Sequence, residues 1–179
     1  TAPENSVLMK FAKDNNLGFY EHDGENDLAG RIAGAIAHFD EPFVLKTGGD
    51  CPLIDPLVMQ RMVDIAMTKT DVDFVSNRVQ WSYPLGLSAD LISRRAINWA
   101  NIHLTSDHDR EFFALHIRDH PEQFKVVPVV NDIDLSHHGW TVDEKADIKF
   151  VQTIFDNLYK ENEVFGMAEV LALVENKEF

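Results

Sequence analysis

Residues 46–56 read Lys-Thr-Gly-Gly-Asp-Cys-Pro-Leu-Ile-Asp-Pro, and this stretch follows the short apolar run Phe43-Val44-Leu45. The apolar run predicts a buried strand, and Asp55-Pro56 predicts the start of a helix because proline suits the first helical turn. A strand that leads through a compact turn into a helix is the repeating unit of α/β folds. Asp50 then stands at the carboxyl end of the strand, where open α/β sheets bind their ligands.

The same alternation of strands and helices continues along the chain. The predicted strands are Leu17–Tyr20, Phe43–Leu45, Val72–Val75, Leu87–Ile92, Phe124–Val130 and a last one at Val142. The predicted helices begin at Ser6, at Asn26 or Asp27, at Asp55-Pro56, at Ser93, at Asp107 or Asp109, at Glu144 and at Met167. Strands separated by helical patterns of this length indicate a largely parallel sheet flanked by helices, and we expect one domain over residues 1–179.

Composition excludes several classes of function. The 179 residues are 45% hydrophobic and 26% charged, which is ordinary for a globular protein, and no apolar run reaches the ~20 residues that cross a bilayer. A net charge of −14 argues against binding to nucleic acid polymers, because the whole surface repels phosphate. Cys51 is the single cysteine, so no intrachain disulfide can form, and we expect a cytoplasmic protein with no membrane partner.

Asp50 and Asp143 are the candidate metal ligands. Gly48-Gly49 precedes Asp50, and glycine's freedom at positive φ would let the chain turn sharply there; Trp140-Thr141-Val142 precedes Asp143. Mg²⁺ is held by one or two carboxylates together with substrate phosphates, so two converging aspartates would suffice. The alternatives stay open: Asp50 also suits an ordinary turn, and Asp143 also suits the N-cap of the next helix.

A second group of polar residues suits recognition of a phosphorylated or hydroxylated substrate. Arg110 and Glu111 lie in the first turn of a predicted helix, where they could contact phosphate and a hydroxyl group, or simply form a solvated ion pair. Asn77 and Arg78 end a strand and suit sugar hydroxyls or phosphate, or a polar turn. The turn from Tyr83 to Gly86 could shape a sugar pocket or serve packing. Cys51 lacks a basic partner in the sequence, so we expect it to be a small buried residue.

These motifs, in this order and at this spacing, resemble one family. They are Gly49–Pro56, Asp73–Asn77, Tyr83-Pro84 with Gly86-Leu87, Arg110-Glu111, and Thr141–Asp143 with Asp147. They resemble the SpsF-like cytidylyltransferases of spore-coat and surface polysaccharide synthesis, which are relatives of the CMP-Kdo and CMP-acylneuraminate synthetases. The resemblance extends over nearly the whole chain.

The resemblance implies a Rossmann-like nucleotidyltransferase fold, a GT-A-like three-layer sandwich with a mostly parallel sheet that here would lack its first strand. It implies transfer of CMP from CTP, or of another nucleotide from its triphosphate, to a small sugar with release of pyrophosphate. Asp50 and Asp143 would hold Mg²⁺, and Arg110 would act with them in catalysis. Asn77, Arg78, Tyr83, Gly86 and Glu111 would contact the substrates, and a homodimer is left open.

The sequence also departs from the family pattern. The family's N-terminal loop, Ala-Arg-x-Gly-Ser-x-Arg-Leu-Pro-Gly-Lys, has no counterpart here. Gly48 replaces a threonine, Ser88 an aspartate, Asp90 a glutamate and Phe112 a histidine of the family pattern. Two alternatives therefore stay open, namely a non-catalytic binding or dimerisation module of the same fold and a metal-dependent glycosyltransferase.

Overall fold

The computed structural model describes residues 5–24 and 26–176, and it contains both helices and strands, as the sequence predicts. In those residues the helices are α1 (Ser6–Asp14), α2 (Leu28–Ile36), α3 (Pro56–Thr68), α4 (Arg94–His103), α5 (Asp107–Glu111), α6 (Phe113–Asp119), α7 (Lys145–Leu158) and α8 (Met167–Glu175). The strands are β1 (Phe43–Thr47), β2 (Phe74–Ser76), β3 (Ala89–Ser93) and β4 (Val126–Pro128).

Short polar side chains start the helices that position the rest of the fold. The Asp27 carboxylate accepts a hydrogen bond from the N–H of Gly30 at the start of α2, and Asp55 accepts one from Leu57 at the start of α3, where Pro56 fills the first helical position. Ser93 accepts one from Ala96 at the start of α4. These caps satisfy backbone donors that have no partner inside the helix.

The four described strands form one sheet in the order β1-β3-β2-β4. Phe74 donates to the carbonyl of Lys125 and Val129 donates to that of Ser76, so β2 and β4 run parallel. The N–H of Ser93 donates to the carbonyl of Asp73, and Oγ of Ser76 lies 3.1 Å from the carbonyl oxygen of Ala89, so β3 runs antiparallel to β2. The expected α/β, Rossmann-like class is confirmed, and β3 is a reversed strand next to β2 in the sheet.

Several predicted elements are wrong or have shifted. Leu17–Tyr20 lies in no strand; the Tyr20 ring instead packs beside His22 and His38. The strand predicted over 124–130 is only Val126–Pro128. The helix predicted from Asp107 towards His120 is broken at Phe112, whose backbone leaves the helical region.

By packing, the structure divides into two compact units, and each strand contributes residues to both. The described residues within Thr1–Val44, Val72–Phe74 and Ile92–Val126 form the first unit, and those within Leu45–Asp71, Val75–Leu91 and Val127–Phe179 form the second. The expectation of a single domain over residues 1–179 stays a prediction.

In the first unit, α2 packs against α4 and α5, and α4 packs against α6. The fully buried side chains of this core include Ala29, Ile97, Phe113 and Ile117. On the side of α4 and α6, the Trp99 indole is stacked between two imidazoles, with ring centroids 4.7 Å from His103 and 5.8 Å from His116.

In the second unit, α7 packs against α8, and the core includes the fully buried Met62, Leu87, Ile154 and Val170. The Asp55 carboxylate is buried and joins two helices, because Oδ1 accepts from the N–H of Leu57 and Oδ2 accepts from the N–H of Met167. None of the helices in residues 5–24 and 26–176 combines the length and the apolar character needed to span a bilayer.

Candidate functional site

The turn after β1 presents the carboxylate of Asp50. A Cβ placed on Gly48 would lie 2.1 Å from Oδ1 of Asp50, so only glycine at this position lets that carboxylate fold back over the backbone. The expectation that Gly48 and Gly49 use positive φ is wrong, because the positive-φ glycines among the described residues are Gly24 and Gly86. With the Asp50 side chain in this rotamer, glycine at position 48 provides space for the carboxylate and does not serve a positive φ.

The segment that carries Asp143 lies beside the Asp50 turn. The N–H of Val142 donates to the carbonyl of Asp50 over 2.9 Å, and the hydroxyl of Thr141 donates to Oδ2 of Asp143 over 2.7 Å. Val142 is not in a strand as predicted; the regular pairing nearby is a parallel bridge between Leu85 and Gly139. The two predicted metal ligands therefore sit on backbone segments that touch each other.

Asp143 does not cap α7, although an N-cap was one interpretation of the sequence. Glu144 is the residue before the helix, and the Asp147 carboxylate accepts from the N–H groups of both Asp143 and Glu144. These two backbone hydrogen bonds lower the pKa of Asp147 below its ordinary value. Because Asp147 satisfies the helix start, the carboxylate of Asp143 is left for another purpose.

A cleft of about 320 Å³ opens beside the Asp50 turn, entirely within the second unit. Its lining residues come from β1, the turn after it, β3 and the loops before β3 and α7: Lys46, Thr47, Gly48, Asp50, Cys51, Arg78, Trp81, Leu85, Ser88, Asp90 and Thr141. Two of the predicted site residues, Asp50 and Arg78, are among them; Asp143 is not, although the hydroxyl of the lining residue Thr141 donates to its carboxylate.

Cys51 is a buried thiol that points at Asp50. Burial, the hydrogen bond from its Sγ to Oδ1 of Asp50 and the negative charge of that carboxylate raise the pKa of Cys51 to about 11. A thiol with such a pKa is almost entirely protonated near neutral pH and is a poor nucleophile. These contacts agree with the expectation of a small buried residue.

Three predicted substrate contacts have well-defined structural roles. The Asn77 side chain is buried; its amide donates to the carbonyl of Leu87, and its oxygen accepts from the N–H of Ala89. The Tyr83 hydroxyl accepts from Arg61. Gly86 has φ +99°, and a Cβ there would lie 2.6 Å from the backbone carbon of Trp140. Contacts of these residues with a substrate stay predictions.

Arg110 and Glu111 belong to the first unit, whereas the residues that line the cleft belong to the second. The Arg110 guanidinium donates to the Asp27 carboxylate, to the carbonyls of Asn101 and Leu104, and to the Asn101 side chain. It thus ties the start of α2 to the end of α4. Catalysis by Arg110 and substrate binding by Glu111 stay predictions.

The sequence interpretation gave no role to Lys46 and Asp90, which the structure places together with Arg78 at the cleft. Oδ1 of Asp90 accepts from the Ser76 hydroxyl over 2.7 Å, and Oδ2 accepts from Arg78 over 3.2 Å. Nζ of Lys46 lies 3.9 Å from the same Oδ2. The sequence could have pointed to Lys46 and Asp90 only through their positions near strand ends. The reversed direction of β3, which brings the two side chains together, is not visible in the sequence.

The donor set at the cleft fits Mg²⁺ only together with substrate oxygens. Within the described ranges, no group of three or more His, Cys, Asp or Glu residues could hold a metal ion by itself. Asp50 and Asp143 each use one carboxylate oxygen in a side-chain hydrogen bond, which leaves Oδ2 of Asp50 and Oδ1 of Asp143 without a described hydrogen bond. Two carboxylates completed by phosphates and water suit this ion.

Comparison with known proteins identifies the fold. No family model matches the sequence, and no curated protein matches it. A solved cytidylyltransferase from Leptospira borgpetersenii serovar Hardjo-bovis (strain JB197) superposes with a TM-score of 0.85 at 20% sequence identity, over 96% of this chain and 71% of that chain. The chain has the fold of that cytidylyltransferase. At this level of identity the likeness concerns the fold, and function has to be argued from the site.

Proposed function

We propose that the protein is a Mg²⁺-dependent cytidylyltransferase that transfers CMP from CTP to a sugar and releases pyrophosphate, in the synthesis of a surface polysaccharide. The observation that carries the proposal is the backbone hydrogen bond between Asp50 and Val142, because it joins the two segments that bear the predicted metal ligands. The motif order along the sequence and the fold shared with a cytidylyltransferase support the same conclusion.

In the proposed reaction a sugar hydroxyl attacks the α-phosphorus of CTP. A new P–O bond forms to the sugar, the bond to the β-phosphate breaks, pyrophosphate leaves and the hydroxyl proton passes to solvent. Asp50 and Asp143 would hold Mg²⁺, which when bound neutralises charge on the phosphates. Gly48 leaves room for the Asp50 carboxylate, and the Thr141 hydroxyl orients that of Asp143.

Other residues of the cleft would shape the sugar and nucleotide site without touching the reacting atoms. Asn77 fixes the backbone on both sides of Ser88 through its bonds to Leu87 and Ala89, so Ser88 is held at the cleft wall. Trp81, which is partly exposed, lines the same cleft and offers an aromatic face for a base or a sugar ring. Because Ser88 and Trp81 already line the cleft in the free protein, the proposed binding site would be largely formed before the substrate binds.

The test is a measurement of CTP binding and pyrophosphate release with the purified protein. We expect calorimetry to detect CTP binding with Mg²⁺ that is lost in EDTA, and pyrophosphate release when a panel of sugars is supplied. Asp50→Asn and Asp143→Asn should each reduce turnover by about 100-fold or more, because each removes a charge at the proposed metal site. Asp64→Asn is the charge-matched control, since Asp64 is exposed on α3 and bonds only Gln60 among the described side chains.

Three outcomes would overturn the proposal. Unchanged turnover in Asp50→Asn would remove the metal assignment. Consumption of a nucleotide sugar without any use of free CTP would favour the glycosyltransferase alternative, and failure to bind CTP with Mg²⁺ would favour the non-catalytic module.

A further inference from the structure

Asp90 is a buried acid in the wall of the cleft. It lies in β3 with only 2% of its surface exposed, and the Ser76 hydroxyl, the Arg78 guanidinium and the Lys46 ammonium all face its carboxylate. A buried carboxylate is stable only when it is paired and hydrogen-bonded, and here one acid faces two cations. Within this group the two cations outnumber the acid, while Asp50 adds a second negative charge elsewhere in the lining of the cleft.

Neither cation is fully used by Asp90. Arg78 gives one hydrogen bond, from Nη1, and among the described residues its guanidinium has no other protein acceptor; an arginine has five N–H donors. The Lys46 ammonium, at 3.9 Å, is beyond hydrogen-bond distance from the carboxylate. Both side chains are partly exposed and line the cleft. The remaining donors are thus available to a ligand in the cleft.

We propose that Lys46 and Arg78, held in place by Asp90, form an oxyanion subsite that binds a phosphate or carboxylate group of a substrate. A guanidinium binds such a group through paired N–H donors, and an ammonium adds a point charge. Although the chain has a net charge of −14, the unused N–H donors of these two cations give an anion local partners inside the cleft.

Asp90 is a positioning residue in this arrangement. Its hydrogen bonds fix the Arg78 head group, while Ser76 fixes Asp90 itself and also accepts from the backbone N–H of Arg78. Without the carboxylate, Arg78 and Lys46 would keep their charge but lose their common orientation. The identity of the substrate that carries the oxyanion rests on the proposed function, whereas anion binding by the free protein does not.

The first unit contains a matched control pair. Arg95 pairs with the buried carboxylate of Asp73, which also accepts from Ser93 and from the N–H of Lys125. Asp73 is 1% exposed, as secluded as Asp90, while the Arg95 side chain is 68% exposed and faces solvent. Arg95→Gln therefore removes an arginine from a buried acid without touching the cleft.

The experiment titrates the ¹⁵N-labelled protein with inorganic phosphate and, separately, with acetate, in EDTA and without nucleotide. We expect saturable shifts of the Arg78 Nε–H and of the Lys46 and Ser88 amide signals. Arg78→Gln, Lys46→Met and Asp90→Asn should each weaken phosphate binding by about 10-fold, whereas Asp90→Glu should restore part of it and Arg95→Gln should leave it unchanged. Circular dichroism of each variant reports whether it is folded.

A turnover assay then identifies the source of the oxyanion. A rise in KM for CTP in Arg78→Gln assigns the subsite to the triphosphate, and a rise in KM for the sugar assigns it to an acidic group on the sugar. Folded Arg78→Gln protein that binds phosphate as well as the original would overturn the proposal, as would phosphate shifts that occur elsewhere. Because the titration contains no Mg²⁺ or CTP, its failure is distinct from failure of the proposed reaction.

Discussion

Oδ2 of Asp55 accepts a hydrogen bond from the backbone N–H of Met167 over 2.8 Å, so the acid that caps α3 also serves the start of α8. Asp55→Ala leaves both helix starts without this partner and should lower the free energy of unfolding by about 3 kcal/mol. Asp55→Asn keeps one acceptor oxygen and should cost about half as much. Urea unfolding measures the free energy of both variants. Equal losses would show that the hydrogen bond retained by asparagine contributes nothing to stability.

Gly86 is a position where any side chain should be destabilising. Its φ of +99° is unfavourable for other residues, and a Cβ would lie 2.6 Å from backbone atoms of Trp140 that cannot move independently. We expect Gly86→Ala to reduce the free energy of unfolding by about 2 to 4 kcal/mol. Gly139→Ala is the control, because a Cβ at Gly139 meets no atom within 4 Å and should change stability little.

The Cys51 thiol should report the charge of Asp50. With a pKa of about 11, Cys51 should react slowly with iodoacetamide at pH 8, and the reaction should accelerate up to pH 11. Asp50→Asn removes the carboxylate that helps raise this pKa, so the midpoint should shift to lower pH. Cys51 is the single cysteine, so alkylation followed by mass spectrometry measures it alone. A midpoint that Asp50→Asn leaves in place would contradict the contact.

The same thiol predicts the stability of the protein in alkali. The folded state holds the pKa of Cys51 above the ordinary value of 9.0, so its contribution to stability is complete below pH 9 and is lost as the pH rises towards 11. Cys51→Ala should flatten this decline when unfolding is followed between pH 8 and pH 11.

Asp27 should make the protein sensitive to acid through Arg110. Burial alone would raise the pKa of Asp27, but hydrogen bonds from Arg110, from the N–H of Gly30 and from His22 lower it to about 2. Its folded pKa is below the ordinary 3.8, so its contribution of about 2 kcal/mol is present above pH 4 and is lost as the pH falls towards 2.

Arg110→Gln should remove much of that contribution and flatten the decline of stability between pH 4 and pH 2. Lys10→Gln, which breaks an exposed ion pair with Asp14, is the control and should leave the acid profile unchanged. Guanidinium chloride unfolding at several pH values measures both variants. Loss of catalysis in Arg110→Gln without loss of stability would instead support the catalytic role predicted from the sequence.

The sequence predicted the helices better than the strands, for a physical reason. Helix caps are local, so Asp27, Asp55-Pro56 and Ser93 mark helix starts that the structure confirms. Strand pairing depends on distant partners. The apolar residues of Leu17–Tyr20 therefore predicted a strand, yet the Tyr20 ring packs beside His22 and His38 instead.

At the candidate site, sequence position located the Asp50 turn but not the residues that surround it. The role of Gly48 depends on the rotamer of Asp50, and the grouping of Lys46 with Asp90 depends on β3 running against its neighbours. Neither the rotamer of Asp50 nor the direction of β3 can be predicted from the few residues next to it in the sequence. The hydrogen bond from Arg110 to Asp27 likewise joins positions 83 residues apart, so no local motif predicts it.

Trp99 stacks on both His103 and His116, so its share of the emission from the three tryptophans should respond to pH. Imidazolium quenches indole emission more strongly than neutral imidazole, so emission should dim on acidification. Burial and the neighbouring His120 lower the pKa of His116, so its part of the quenching begins below the ordinary histidine range. The protein thus carries an optical probe that needs no label.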